Sequence, residues 1–197
     1  MTTMNAGFEE RGDSEFLFDF EQFELMDQAG VFSGVQGRIE LIEGKIIQMA
    51  PASIDHGSAN ADVVFAIESA LRALSPRPAL KVIVNATLRI GRNSAPLPDV
   101  FVMRKSEGEN YAQAEHSVLV VEISVATRGS DLTVKSRLYA QAGIPEYWVV
   151  EPKARKVSIF REPQPDGAWA LTTILEGDAT VSPLFAPQIS IPLSELF

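Results

Sequence analysis

The run Ser117 to Ser124, SVLVVEIS, constrains this chain more than any other segment. It is apolar at almost every position, and a strand with apolar side chains on both faces must be covered on both faces. The fold therefore needs a sheet with further layers on each side. One charge interrupts the run, Glu122. A lone buried carboxylate is costly to keep ionised, so it must be protonated, paired or metal-bound. A lysine or arginine partner within the core meets that demand, and so does a functional site.

The rest of the chain supplies the layers. Phe16 to Ala29 has helical apolar spacing and ends before Gly30. Arg38 to Met49 reads as a hairpin, two β-prone runs around a turn at Glu43-Gly44. Ser53 or Asp55 caps a helix running to about Leu74, with Ala59, Val63, Ala66, Ile67, Ala70, Leu71 and Leu74 as its apolar stripe. Leu80 to Ile90 gives one or two strands, Gly91 to Leu97 a turn, and Pro98 to Met103 a short strand. The stretch 104–116 reads as polar loop with room for a helical turn. Asp131 to Ala142 is a helix ended by Gly143. Glu146 to Glu151 is the next strand, Lys156 to Arg161 and Ala168 to Leu175 pair as a meander, and the tail adds one or two edge strands. This order predicts an α/β (mixed α+β) fold, a central mixed sheet flanked by helices and not a regular βαβ repeat. Residues 1–15 are polar and read as a flexible N-terminal arm, leaving 16–197 as a single domain.

Composition narrows the function. With 46% hydrophobic and 22% charged residues the chain can bury a real core. It has no cysteine, which excludes disulfides and thiolate zinc sites and suits a reducing compartment. The start resembles no signal peptide, and no apolar run nears the ~20 residues of a membrane span. A cytoplasmic protein without a membrane partner is expected. The net charge of −9 removes any general attraction to nucleic acid, so DNA binding would need a local basic patch or bound cations.

Few residues carry plausible chemistry. Asp99 follows Pro98 at the start of a strand; alone it marks a turn, and beside Glu122 it makes the second half of a carboxylate pair suited to a hard divalent cation. Lys135 shares a helical stripe with Asp131, Leu138, Tyr139 and Ala142, which is a core side. Either it meets a carboxylate or substrate there, or it pairs with Asp131 on an amphipathic edge. His56 is a site ligand or a capping and packing residue; Glu40 is an extra acid or part of a solvated strand face; Glu43 is a turn residue. Tyr147 and Trp148 read as core or interface aromatics. No Gly-rich phosphate loop, GxSxG elbow or HExxH is present, and the two histidines are too far apart in sequence to suggest a zinc cluster.

Taken together, RIELIEGKIIQMAP…DHG, PDVFV and LVVEIS…TRGSDLTVKSRLYAQAGIPEYWVVEP resemble the Uma-type restriction endonuclease family of the PD-(D/E)XK nuclease superfamily. The resemblance spans roughly Phe16 to Arg161, most specifically Glu122 to Trp148. It implies a restriction-endonuclease-like fold and metal-dependent phosphodiester hydrolysis of nucleic acid, DNA more than RNA. It implies catalytic roles for Asp99, Glu122 and Lys135, with Mg²⁺ or Mn²⁺ held by Asp99, Glu122 and the backbone carbonyl of Ile123. The superfamily's lysine two residues after the second acid is absent, since Ser124 stands there, and Lys135 takes its part. Glu40 and His56 match further family positions. The alternative is a non-catalytic binding or regulatory protein that retains the fold. A homodimer is expected, on the premise that Tyr147-Trp148 and Ile159-Phe160 lie on edge strands that need covering.

Overall fold

The computed structural model describes residues 14–105, 108–125 and 131–197. Residues 1–13 of the expected arm lie outside that set. The apolar run forms β7 (Ser117–Ile123), every residue of it buried. It sits inside a six-stranded sheet with β3 (Leu80–Val84), β5 (Val100–Arg104), β8 (Glu146–Glu151), β9 (Lys156–Pro163) and β10 (Trp169–Glu176), in the order β10-β9-β8-β7-β5-β3. β7 and β8 run parallel, joined by a crossover that contains a helix; the other neighbours are antiparallel. The sheet is therefore mixed, and both of its faces are covered.

Alternation along β7 assigns the layers. Val121 and Ile123 face α2 (Ile54–Ala73), packing with Val100, Val102, Trp148 and Val150 against Val63, Ile67 and Leu71. The C-terminal Val181, Ile191, Leu193 and Leu196 complete that face. Val120 points the other way, with Phe101, Tyr147 and Val149, toward Leu138, Tyr139 and Ile144. The helix carrying Leu138 and Tyr139 opens with a π-helical turn, Asp131–Lys135, and continues as α3 (Ser136–Gln141). Gly143 follows at φ +71, as a helix-ending glycine should.

Capping chemistry decides where the helices begin. The first helix, α1 (Phe20–Gln28), starts four residues later than apolar spacing alone predicts. Asp19 Oδ1 accepts from the Gln22 N–H and Gln22 Oε1 accepts from the Asp19 N–H, a capping box that outweighs the apolar residues before it. The segment before Asp19 is held instead by the Phe18 N–H on the Gly44 carbonyl at 2.8 Å. At α2 the cap is Ser53, not Asp55. The hairpin pairs β1 (Arg38–Ile42) with β2 (Lys45–Met49), its two turn residues Glu43 and Gly44 at φ +50 and +79, the mirror-image turn that suits strand twist.

Three expectations are corrected. The stretch after β5 is not wholly loop: β6 (Ala112–Gln113) pairs in parallel with β4 (Leu88–Arg89), and a 3₁₀ turn follows at Ala114–His116. The tail strands β11 (Thr180–Val181) and β12 (Ile191–Pro192) pair with each other and not with an edge of the large sheet. Tyr147-Trp148 and Ile159-Phe160 are not on edge strands, since β8 and β9 are interior and Tyr147 and Trp148 are fully buried. The premise for a dimer through those residues falls. Among the described residues no helix is long and apolar enough to cross a membrane.

Candidate functional site

Register brings the two acids together. β5 and β7 pair antiparallel with Val100 opposite Val121, so Asp99, one residue before β5, comes opposite Glu122. Pro98 fixes the approach. The Asp99 carboxylate is buried and tied from three directions. The Ile123 N–H donates to Oδ2 at 2.8 Å, His56 Nε2 lies 3.1 Å from the same oxygen, and Arg38 Nη1 donates to Oδ1 at 3.0 Å. His56 reaches it from the first turn of α2, positioned by the Ser53 cap.

The second cluster centres on Lys135. The π-helical turn points Lys135 inward, where Nζ donates to Glu122 Oε1 at 3.0 Å and Glu40 Oε1 at 3.1 Å. Tyr139, one turn on, donates its hydroxyl to Glu122 Oε1 at 2.8 Å, and the Leu97 N–H donates to Glu40 Oε1 at 3.1 Å. Lys135, Glu40 and Glu122 are all buried. Burial excludes the solvated-face reading of Glu40. Lys135 meets carboxylates in the core; its alternative pairing with Asp131 involves a side chain outside the described residues. The structure thus brings together Asp99, Glu122, Lys135, Glu40 and His56. Glu43 lies apart at the hairpin turn, paired to Arg137.

Electrostatics follow from this packing. Burial raises the Asp99 pKa, but hydrogen bonds from His56 and the Ile123 N–H, with the charges of His56 and Arg38, outweigh it and hold the carboxyl at about 2. Burial pulls the Lys135 ammonium down, and the Glu122 and Glu40 carboxylates more than reverse it, so Lys135 stays charged. Burial, then the Glu122 charge, push the Tyr139 phenol well above its ordinary value, so it remains a donor. The cluster gathers three carboxyl groups, Glu40, Asp99 and Glu122, around Lys135 and Arg38, with His56 beside Asp99.

Two site residues escaped the sequence reading. Arg38 shares the Glu40 face of β1, and the R-x-E spacing on a strand was the available signal. Tyr139 was read as core, which it is, yet its hydroxyl serves Glu122; its position four residues after Lys135 was the hint. A cleft of about 110 Å³ opens on the cluster, lined by Arg38, Ser53, His56, Asp99, Glu122 and Lys135 with the Met49–Ala52 segment. A larger groove of about 960 Å³, lined by Arg89, Asn93, Glu109 and Gln141, contains none of the five predicted residues. Titratable convergence, not volume, locates the candidate site.

The donor chemistry suits a hard divalent cation. Carboxylate oxygens are the ligands such ions take, and Glu40 Oε2 is buried without a hydrogen-bond partner among the described residues. Among those residues no three His, Cys, Asp or Glu side chains converge tightly enough to hold a metal by themselves. An ion here would complete its shell with water, main-chain oxygen or substrate, as Mg²⁺ commonly does.

The profile of the Uma2 family, described as "Putative restriction endonuclease", matches residues 20–194. No curated protein matches the chain. Among solved structures, the chain is similar to one titled "a putative nuclease belonging to DUF820" from Anabaena variabilis ATCC 29413. Identity is 23%, the match covers 87% of this chain and 96% of that one, and the TM-score is 0.66. That likeness shows a shared fold.

Proposed function

Because the chain belongs to the Uma2 family, described as "Putative restriction endonuclease", we propose that it is a metal-dependent endonuclease that hydrolyses phosphodiester bonds in nucleic acid, DNA before RNA. The observation that carries the reading is the meeting of Asp99 and Glu122 across β5 and β7, with Lys135 3.0 Å from Glu122. Asp99, Glu122 and the Ile123 carbonyl are the proposed holders of Mg²⁺ or Mn²⁺, with Glu40 beside them. When bound, such an ion polarises the phosphate and acidifies a coordinated water. Lys135 pairs with Glu122 and Glu40 and holds both in place. Two of its three N–H donors serve those carboxylates, and the third, without a partner among the described residues, is available to a water or a phosphate oxygen. His56 holds Asp99 in position at the mouth of the cleft.

The test is cleavage of supercoiled plasmid and single-stranded DNA with Mg²⁺ or Mn²⁺. Wild type is expected to cleave, and Asp99→Ala and Glu122→Ala to lose at least about 100-fold in rate while keeping the fold. Equal rates in wild type and variants would remove the assignment. The second reading, a non-catalytic binding protein, is favoured by the net charge of −9. It predicts no melting shift at millimolar Mn²⁺, whereas a metal site predicts a rise that Asp99→Ala abolishes. The same proposal puts the protein in the cytoplasm and retains a two-fold homodimer, now through the edge strand β10, where Leu171 and Ile174 are exposed. A monomer mass by light scattering would remove the dimer.

A further inference from the structure

Two cations with fixed charge line the cleft, and they are not equivalent. Lys135 is enclosed, with 3% of its side chain exposed, and is held by two carboxylates. Arg38 keeps 24% of its side chain exposed, at the open side of Asp99. Both of its hydrogen bonds among the described residues leave from one nitrogen, Nη1, to Asp99 Oδ1 at 3.0 Å and to Asn85 Oδ1 at 3.1 Å. Its Nε is buried and has no partner among the described residues. A guanidinium carries five N–H donors in a planar fork that matches two phosphate oxygens, so most of its capacity is unspent.

Arg38 also stands where a divalent cation would have to act. Placed on Asp99, such an ion takes over the neutralisation that Arg38 now provides and repels the guanidinium. The guanidinium then has donors to spare beyond the attraction of Glu122 and Glu40, which Lys135 already holds, and the further anion that a nuclease's substrate brings into the cleft is a phosphate. We infer that Arg38 is the phosphate-binding residue of this site, holding Asp99 only until a divalent cation replaces it there. The inference rests on the nuclease reading and adds to it the residue that meets the substrate's charge.

The experiment uses the full chain and two readouts: Mn²⁺ alone, by calorimetry, and cleavage of supercoiled plasmid at saturating Mn²⁺. Arg38→Met keeps the hydrocarbon stem and removes the charge. It is expected to bind Mn²⁺ about tenfold more tightly, because a competing like charge is gone, and to cleave about 100-fold more slowly. A brace for Asp99 would behave differently: Arg38→Met would then weaken Mn²⁺ binding as Asp99→Ala does, and that result overturns the inference, as does undiminished cleavage. Arg38→Lys is the second variant, informative even if Arg38→Met fails to fold. It keeps the charge and loses the fork, so it is expected to retain wild-type Mn²⁺ affinity and lose about tenfold in rate; a wild-type rate would overturn the inference. If wild type neither binds Mn²⁺ nor cleaves, the nuclease reading itself falls. If wild type does both and the Arg38 variants match it, only the present inference falls.

Discussion

Asp99 shows how a buried carboxylate can divide its stabilisation among several donors, one of them an arginine ion pair. A main-chain N–H, an imidazole and a guanidinium share its two oxygens, and together they overcome burial. Its folded pKa of about 2 lies below the ordinary 3.8. A depressed acid stabilises the fold fully above its unfolded pKa and loses that contribution as pH falls through the folded value. The linked free energy is about 2 kcal/mol. Urea unfolding of wild type and Asp99→Asn is therefore expected to show a stability gap at pH 5 that narrows by about that amount toward pH 2. A gap that does not change with pH would contradict the assigned ionisation.

At the scale of elements, the site is assembled from ends. Asp99 precedes β5, Glu122 is the penultimate residue of β7, His56 is in the first turn of α2, and Lys135 closes a π-helical turn. Strand cores pack; strand and helix ends leave polar side chains near solvent. The α2 N-terminus matters twice, since Ser53 satisfies the His56 N–H and thereby sets where the imidazole begins. Ser53→Ala is expected to destabilise by about 1 kcal/mol in chemical denaturation, with Asp55→Ala nearly silent because its side chain is exposed and caps nothing. The hairpin contributes in a different way. It lays Arg38 and Glu40, two residues apart on one face of β1, over the end of the sheet, and only that placement makes Arg38 a neighbour of Asp99.

For the whole molecule, charge sets how nucleic acid would be held. The chain carries 26 acidic against 17 basic residues, and several of the basic ones are already spent on surface ion pairs such as Arg72 and Arg77 with Glu68. Affinity would come from few phosphate contacts near the cleft. The slope of log K against log salt for a short duplex, measured by fluorescence anisotropy with Ca²⁺ present, is expected to be shallow, between about −1 and −3. A slope steeper than about −5 would reveal an extended basic face that the described residues do not suggest.

Much was legible in the chain itself, for a physical reason. A strand apolar on both faces has no choice but the centre of a sheet, and a Glu within it has no choice but a partner; both follow from the cost of exposing hydrocarbon or burying charge. The hairpin turn and the α2 stripe follow from equally local rules, whereas the meeting of Asp99 with Glu122 needed the register of β5 on β7. The partners were not local. Glu40 and Lys135 are 95 residues apart, and Arg38 and Asp99 61 apart. The start of α1 was lost to a reciprocal side-chain bond, and β8 was misplaced because apolar character cannot tell an interior strand from an uncovered edge. Periodicity states which way a side chain points; strand order and crossing geometry decide what it meets.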